Sequence, residues 1–549
     1  MDTLPRAHAD LFPVLTPDQL QHLRDYGAVE EQVSAGTCLV RPGELNLDFV
    51  VVLEGELEIS AGDLPIVVHG PGQFMGDTHT LSGRAAVVLG RALTPLRYLR
   101  LSAAALRRVV VERSELSDLL LKSFLGRRMA LVQGQYTGTR LIGSRYSHDT
   151  HRIREFLTRN QLPFLFSDVE SDPDTEALLD SFGVRPEETP LLVCSAGHFC
   201  RNPSNEEIAS KLGLNALVED HVVDLVVVGS GPAGLAATVY AASEGLEVVT
   251  MDTTGPGGQA GTSSKIENYL GFPSGISGRE LAERALLQAQ KFGAQMASAR
   301  TAVKLDCEGP VYAVTTCDGS QVRARALVIA TGARYRKLDL ANLAAYEGRG
   351  VYYGATAMEG LLCKDTVVAV VGAGNSAGQA AVFLETVARE VHLLVRGETL
   401  ETSMSKYLIR RIQETPRIHL HLQCEVCELA GEDHLERLRF CCHQDGSVTE
   451  LECANLFTMV GAVPNTAWLD GCLELDEKGF VRTGRDLTRV GLQRSGWSAG
   501  RRPFPYETSK PRIFAVGDVR SDSTKRVATA VGEGSAAVQF LHRALADLS

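Results

Sequence analysis

The sequence predicts a multidomain protein: a β-roll at the N-terminus, a compact α/β unit in the middle and a C-terminal region built on two βαβ units. The first 135 residues contain short alternating apolar segments separated by glycine, which is typical of a small barrel or sandwich. Strand-like and helix-like segments alternate over residues 137–213. Twice further on, at residues 222–234 and 365–377, an apolar run passes into a glycine-rich turn. A chain of 549 residues also exceeds the ~250 residues that one core usually reaches.

The first βαβ unit, residues 222–252, contains the residues that dinucleotide binding requires. Gly229 permits the tight turn, Gly231 lets the backbone approach a pyrophosphate, and Gly234 lets the helix pack against the strand. The N-terminus of the following helix offers free N–H groups to phosphate. Asp252 ends the second strand and can accept a hydrogen bond from a ribose hydroxyl. Because strand, turn, helix and acid occur in this order, the sequence predicts a Rossmann-like dinucleotide-binding domain.

A second unit repeats this pattern at residues 365–396. Gly372 and Gly374 form the turn, and Ala377 occupies the third small position. Two such units predict two dinucleotides. The second strand ends on Arg396, which attracts a ribose 2′-phosphate where an acid would repel it. We therefore expect NADPH there, with NADH as the alternative because glycine and glutamate follow the arginine.

Further motifs in residues 220–549 indicate the nucleotide of the first unit. Gln259 and Asn268 lie just beyond that unit, and Gly517 and Asp518 follow a late apolar strand. This set resembles the FAD domain of the low-molecular-weight thioredoxin reductases. The resemblance implies FAD, with Asp518 near the ribityl chain and Gln259 and Asn268 near the cofactor. It also implies a homodimer and a split layout, with an FAD-binding domain at 221–334 and 457–549 and an NAD(P)-binding domain at 335–456.

The redox Cys-x-x-Cys of that family is absent. In the family it lies shortly before the second glycine turn and is followed by an acid. Here Ala355 and Met358 fill both cysteine positions, ahead of Glu359. The sequence therefore predicts a relative that has lost its dithiol.

One other Cys-x-x-Cys occurs, at Cys424 and Cys427. It lies in an alternating stretch, residues 419–429, that predicts one strand. Residues three apart on a strand point to opposite faces, which opposes a disulfide between them. A thioredoxin-disulfide reductase that uses cysteines outside the usual motif stays open as an alternative.

Residues 1–135 resemble a cyclic nucleotide-binding domain. Residues 74–77 and 82–86 are similar to the phosphate-binding cassette of that family. The resemblance implies that Arg84 binds the cyclic phosphate and Asp77 the ribose 2′-hydroxyl. The cassette is shorter than usual, and Asp77 stands where glutamate is common. A β-roll that no longer binds nucleotide is the alternative.

Residues 137–213 resemble a thioredoxin or glutaredoxin domain. Predicted strands and helices alternate at 139–143, 151–159, 163–168, 175–182 and 191–194. Pro190 would be the cis-proline of that family. Ser147 and Thr150 stand where its redox cysteines belong. We therefore expect a thioredoxin-like domain without dithiol chemistry.

Composition excludes several classes of protein. A net charge of −12 without long charged runs argues against nucleic acid and against an anionic membrane surface. No apolar run reaches the ~18 residues of a membrane helix, and the N-terminus has no signal-peptide pattern. The twelve cysteines are scattered, so we expect reduced thiols and a cytoplasmic location. The sequence shows no metal-binding motif.

These observations predict hydride transfer from a reduced nicotinamide to FAD, and then to an acceptor that the sequence does not identify. The flavin would perform the chemistry, so no side chain is assigned as an acid or base. A small redox protein is one candidate acceptor, as in the ferredoxin–NADP reductases of similar architecture. A cyclic nucleotide is a possible regulator. The alternative is a non-catalytic flavin or nucleotide sensor that signals to a partner.

Overall fold

The computed structural model describes residues 11–133, except 46, 62 and 63, and residues 139–547, except 173, 174, 194–198, 216–220, 264, 356 and 470. The sequence also predicts a linker into the first dinucleotide domain over residues 215–221, and most of it lies outside the described residues. No helix within the described part of the chain is long and apolar enough to cross a membrane. The cytoplasmic location and the homodimer stay predictions.

The N-terminal module consists of two four-stranded antiparallel sheets that face each other, with helices before, between and after their strands. The strands of the first sheet, in spatial order, are Val29–Val33, Leu96–Leu101, Phe49–Glu54 and Phe74–Met75. Those of the second are Cys38–Val40, Leu89–Ala92, Leu57–Ala61 and Leu64–His69. The helices are Pro17–Asp25, Thr78–Ser82, Ala103–Glu112 and Ser114–Gln133.

The central α/β module has one four-stranded mixed sheet. Its strands, in spatial order, are Leu165–Asp168, Arg140–Gly143, Leu191–Val193 and Phe199–Arg201, and only the first pair is parallel. The helices are His148–Arg159, Thr175–Ser181 and Asn205–Lys211, with a 3₁₀ turn at Pro186–Glu188. The first helix begins three residues earlier than predicted because the Ser147 hydroxyl accepts a hydrogen bond from the Thr150 N–H. The Thr189–Pro190 peptide is cis, as predicted.

The first dinucleotide domain is a seven-stranded sheet with helices packed on it. Its strands, in order across the sheet, are Gln295–Ser298, Val248–Asp252, Val222–Val228, Gln321–Ile329, Tyr312–Thr316 and Ala302–Asp306, and Ile513–Ala515 pairs with Gln321–Ile329. Its helices are Pro232–Ser243, Gly278–Lys291, Arg489–Arg494 and Val527–Ala546. Short 3₁₀ turns lie at Ala260–Thr262, Ala467–Leu469, Gly484–Asp486 and Gly517–Val519.

The second dinucleotide domain has a five-stranded parallel sheet. Its strands, in order, are Val351–Tyr352, Asn455–Thr458, Val367–Val371, Glu390–Val395 and Ile418–Leu422. A three-stranded antiparallel sheet of Cys424–Ala430, Arg437–Cys442 and Val448–Glu452 packs beside it. The helices are Leu343–Tyr346, Ala357–Leu362, Asn375–Leu384 and Lys406–Glu414. Strands Ala333–Tyr335 and Ala462–Pro464 pair where the chain crosses between the two domains.

The prediction of one strand over residues 419–429 is wrong. The chain breaks at Gln423, whose φ is +54°, and the residues on either side belong to different sheets. Alternation of apolar and polar residues continues through the break, so the sequence pattern does not reveal it. Cys424 and Cys427 do lie on one strand, where Cys424 is buried and Cys427 is exposed.

The expectation that the cysteines are all reduced is also wrong. Cys307 and Cys472 form a disulfide. They are 165 residues apart in sequence, and packing within one hydrophobic cluster of the first dinucleotide domain brings them together. Sequence spacing alone could not indicate this pair.

Asn160 joins three modules at the end of helix His148–Arg159. The side chain is fully buried, and its amide donates to Phe156 O at 2.9 Å and to Thr254 O of the first dinucleotide domain at 2.8 Å. The backbone carbonyl of Asn160 accepts a hydrogen bond from Arg84 Nη1 of the β-roll at 3.2 Å. A Cβ on Gly255 would lie 2.8 Å from the Asn160 amide nitrogen, so this contact tolerates no side chain there.

We expect Asn160→Ala to reduce the free energy of unfolding by about 1–3 kcal/mol, because Thr254 O loses a buried donor. Hydrogen exchange of helix His148–Arg159 would measure the change. Gln21→Ala, at an exposed amide of helix Pro17–Asp25, serves as the control and should stay within about 0.5 kcal/mol of the wild type. Unchanged exchange in Asn160→Ala would contradict the role of this joint.

Candidate functional site

A cleft of about 1790 Å³ lies between the two dinucleotide domains, and both glycine turns open into it. Most of the predicted nucleotide-binding residues line this cleft. They are Gly229, Gly231, Asp252, Gln259, Asn268, Gly372, Gly374, Arg396, Gly517 and Asp518. Gly234 and Ala377 do not line it, because both are packing positions behind their turns.

The first glycine turn combines two sterically closed positions with one open position. A Cβ on Gly229, whose φ is +104°, would lie 2.3 Å from Ala330 O, and a Cβ on Gly234 would lie 1.8 Å from Gly229 O. A Cβ on Gly231 would meet only Gly258 Cα, at 3.8 Å. Gly231 also caps helix Pro232–Ser243 without a side chain, which leaves the first-turn N–H groups for an anion. This cradle fits a pyrophosphate.

Asp252 lies in the cleft, but its carboxylate mainly organises the surrounding loops. One oxygen accepts from Ser230 N at 2.7 Å and from Ser230 Oγ at 2.9 Å. The other accepts from Thr254 N and Gly255 N, both at 2.9 Å. Four protein donors thus bind the carboxylate that the sequence predicts to accept a hydrogen bond from a ribose hydroxyl.

The remaining residues predicted near FAD lie around the same cleft. Gln259 donates to Ala333 O, on the strand where the chain enters the second domain. Asn268 lines the cleft wall. Burial raises the pKa of Asp518, and the nearby Lys525 partly opposes that shift.

Gly517 positions the late strand against the first turn. Its φ is +73°, and a Cβ there would lie 2.9 Å from Ala233 Cβ, at the start of the first-turn helix. Its N–H donates to Glu533 at 2.7 Å, and Glu533 in turn forms an ion pair of 2.6 Å with Arg520. The Gly517–Asp518 pair is therefore fixed from two sides.

The second glycine turn repeats the geometry of the first. A Cβ on Gly372 would lie 2.6 Å from Met459 O, whereas a Cβ on Gly374 would meet only Ser403 O, at 4.0 Å. Arg396 is exposed at the end of strand Glu390–Val395 and lines the cleft. An anion placed on this turn therefore has an open cradle and a cation nearby.

The position of the missing dithiol faces the α/β module. Ala355 packs against the core of the second domain, and the buried Glu359 lies four residues later. His151 of the α/β module places its Nε2 3.3 Å from Glu359 Oε1. Its ring also lies 6.0 Å from that of Tyr352, whose pKa burial raises. The side chain of Met358 lies outside the described residues.

Cys424 lines the cleft, whereas Cys427 does not. Burial, with the neighbouring Cys442 thiol, raises the pKa of Cys424 to about 11. Because the thiolate is the nucleophile, this cysteine is poorly reactive near neutral pH.

The β-roll encloses a separate, mainly apolar cavity of about 80 Å³. Asp77 lines it and caps helix Thr78–Ser82 through a 2.8 Å bond from His79 N. Arg84 does not line it, because its guanidinium turns outward to the Asn160 carbonyl. Burial lowers the pKa of Arg84 to about 10 and that of His79 to about 4. The resemblance implies that Asp77 and Arg84 bind the same cyclic nucleotide, but only Asp77 lines the cavity.

Arg127 is the cation in the cavity wall, and sequence reasoning missed it. Its Nε donates to Leu11 O at 2.8 Å, and its Nη1 donates to Phe74 O at 2.9 Å and to Gly76 O at 3.0 Å. Its Nη2 is buried and has no acceptor in the described structure. The available signal was an arginine on helix Ser114–Gln133, which follows the β-roll strands.

Two domains whose glycine turns open into one cleft define a class of protein that brings two dinucleotides together. Residues 223–534, more than half of the chain, match the family described as pyridine nucleotide-disulphide oxidoreductase, and residues 30–113 match the cyclic nucleotide-binding domain.

Individual relatives agree with this match. The thioredoxin reductase of Streptomyces coelicolor is 32% identical over 329 residues, which cover 60% of this chain and 95% of that protein. That of Mycolicibacterium smegmatis is 32% identical over 327 residues, covering 59% and 97%. The crystal structure of Lactococcus lactis thioredoxin reductase in its FR conformation aligns with a TM-score of 0.53 at 27% identity, covering 59% of this chain and 99% of that one.

The chain therefore belongs to the pyridine nucleotide-disulphide oxidoreductase family. It is a thioredoxin reductase-like, NAD(P)H-dependent flavoprotein oxidoreductase with a cyclic nucleotide-binding domain at its N-terminal end.

Proposed function

We propose that this protein transfers a hydride from NADPH to FAD and passes the electrons to an acceptor without a dithiol of its own. The observation that supports this most directly is the shared cleft, into which both open glycine positions, Gly231 and Gly374, face. FAD, when bound, would supply the redox chemistry. The chain's own residues would bind and orient the two nucleotides and limit the access of water.

Each proposed nucleotide has a set of residues that would hold it. The first-turn helix N-terminus would face the FAD pyrophosphate at Gly231, with Gln259, Asn268 and Asp518 along the rest of the cofactor. The second turn would hold NADPH at Gly374, with Arg396 on the 2′-phosphate.

We expect the purified protein to contain FAD, and Gly231→Ala to fold but to bind FAD at least about tenfold more weakly, a loss of about 1.4 kcal/mol. The added methyl meets no protein atom closer than 3.8 Å, yet it fills the space proposed for the pyrophosphate. Heat release and chromatography would identify and quantify the flavin. Gly532→Ala, where a Cβ meets nothing within 4 Å, is the matched control. Recovery of FMN alone would contradict the proposal.

We expect NADPH to reduce the flavin more efficiently than NADH. Arg396→Ser should weaken NADPH binding by roughly 10- to 100-fold, the equivalent of about 1.5–3 kcal/mol for a charge-assisted bond, and leave NADH nearly unchanged. Stopped-flow flavin reduction with each nucleotide measures this. Arg389→Ser, at an exposed arginine outside the cleft lining, is the control. Equal efficiency of both nucleotides in the wild type would disprove the preference.

The acceptor proposal rests on two facing segments whose motif positions carry no cysteine. Ser147 and Thr150 begin helix His148–Arg159, whose start packs against the second dinucleotide domain. There a Cβ on Gly348 would lie 3.4 Å from His148 Cα, and the Tyr146 and His434 rings stack at 5.0 Å. Thiol–disulfide exchange needs an attacking and a resolving thiol, and neither pair of motif positions provides one.

We therefore expect a thioredoxin-coupled disulfide assay to stay at background while NADPH still reduces the flavin. Cys424→Ser and Cys427→Ser should behave like the wild type, since the buried thiol is protonated and the two side chains face apart. A dithiol-containing thioredoxin reductase run in parallel shows that the assay works. Thioredoxin reduction that disappears in either variant would favour the alternative, a reductase with displaced cysteines.

A non-catalytic redox sensor is the second candidate function. The contact of His151 with Glu359 favours it, because the α/β module there covers the position of the missing dithiol. Steady-state NADPH oxidation with quinone, ferricyanide, dioxygen and ferredoxin as acceptors separates the two. Steady-state turnover with any of these acceptors supports the enzyme. If NADPH reduces the flavin once and no acceptor supports turnover, the result supports the sensor.

We further propose that the β-roll binds a cyclic nucleotide only after it opens. Its cavity of about 80 Å³ is well below the ~300 Å³ of small ligand pockets, and Arg84 is engaged elsewhere. Binding would then require Arg84 to exchange the Asn160 carbonyl for the cyclic phosphate.

We expect Arg84→Ala to abolish cyclic nucleotide binding, because a buried phosphate needs a charge-assisted partner. Calorimetry of the full chain with cAMP and cGMP tests this. Arg107→Ala, whose guanidinium donates to Leu81 O at 2.8 Å outside the cavity, is the control. If the wild type binds neither nucleotide at millimolar concentration, the β-roll has lost its ligand.

A further inference from the structure

A cluster of three histidines and one glutamate lies at the edge of the second domain's parallel sheet. Glu390 and His392 are two residues apart on one strand, and His419 and His421 are two apart on its neighbour, the edge strand. Side chains two apart on a strand share a face, and the register pairs His392 with His419. The intervening residues of the first strand are buried in the core on the opposite face.

The spacing of this cluster matches a metal ion. Glu390 Oε2 lies 3.7 Å from both His392 Nε2 and His419 Nε2, and the three potential ligand atoms lie within 4.8 Å of one another. These separations exceed hydrogen bonds. A tetrahedral ion with bonds of about 2.1 Å holds its ligands roughly 3.4 Å apart, so small side-chain shifts would complete the site.

His392 is oriented as a metal ligand would be. Its Nε2 is buried and has no hydrogen-bond partner in the described structure. Its Nδ1 lies 3.0 Å from His421 Nε2, and the two ring planes are within 8° of parallel. If Nδ1–H donates to His421, the Nε2 lone pair points into the cluster, which is how neighbouring groups orient histidine ligands.

We propose that Glu390, His392 and His419 bind a divalent transition ion of the zinc class, with His421 orienting the His392 ring. Two imidazoles and one carboxylate favour such an ion over magnesium or calcium, which prefer oxygen ligands. Three protein ligands leave a fourth position for water or an exogenous ligand. The ion would join the edge strand to its neighbour. Hydride transfer uses none of these residues, so this site is independent of the proposed function.

Calorimetric titration of the chelator-treated full chain with Zn²⁺ tests the proposal. We expect one equivalent to bind with a micromolar or lower Kd, and His392→Ala and His419→Ala each to weaken binding at least tenfold. His443→Ala is the matched control, because this half-exposed histidine lies 3.4 Å from Glu425 on the neighbouring sheet. Zn²⁺ should also raise the Tm of the wild type but not of His419→Ala.

The described structure contains nine free cysteines, which can bind zinc by themselves. The absorption spectrum of the Co²⁺-loaded protein is therefore the second test, because it distinguishes thiolate from histidine ligands. The proposed site predicts d–d bands without a thiolate-to-cobalt charge-transfer band. His419 is 44% exposed, so His419→Ala should leave the circular dichroism and the metal-free Tm unchanged. If His392→Ala fails to fold, the zinc affinity of His419→Ala tests the proposal alone. No zinc binding, equal binding in His419→Ala, or thiolate ligation that persists in that variant would each overturn the proposal.

Discussion

Three modules meet at one buried residue, Asn160. Asn160 bonds the first dinucleotide domain through its side chain and holds Arg84 of the β-roll through its carbonyl. Because Asn160 ends helix His148–Arg159, the same joint sets the position of that helix's other end, where His151 meets Glu359. The β-roll, helix His148–Arg159 and the loop beside the first glycine turn thus meet at Asn160. Bonds from Arg128 to Gln161 O and from Arg159 to Gly258 O reinforce the same junction.

The sequence reveals those parts of the site that short-range sterics determine. Gly229 and Gly372 have φ values of +104° and +146°, a backbone conformation that favours glycine, and that requirement is local to each turn. The cis Thr189–Pro190 peptide was expected from the resemblance of residues 137–213 to a thioredoxin domain, and the alternation over Cys424–Ala430 indicates a strand there. These features could be predicted from a single sequence.

Features set by long-range packing could not. The direction of Arg84 depends on Asn160, 76 positions later, and the four donors to Asp252 come from loops on both sides of a strand. The histidine cluster combines residues from two strands separated by a helix. Only its two short alternations, Glu390 with His392 and His419 with His421, are visible in the sequence. The break at Gln423 was hidden because the alternation continues across it.

Through the contact between His151 and Glu359, the α/β module competes with any separate protein for the same surface of the second domain. The α/β module is part of the same chain, so it meets the second domain at an effective concentration on the order of millimolar, as expected for a short linker. A separate protein that needs the surface around Glu359, present at micromolar concentration and with equal intrinsic affinity, would occupy it only about one thousandth of the time. Any soluble acceptor must therefore approach the cleft by another route, or bind far more tightly than the tethered module does.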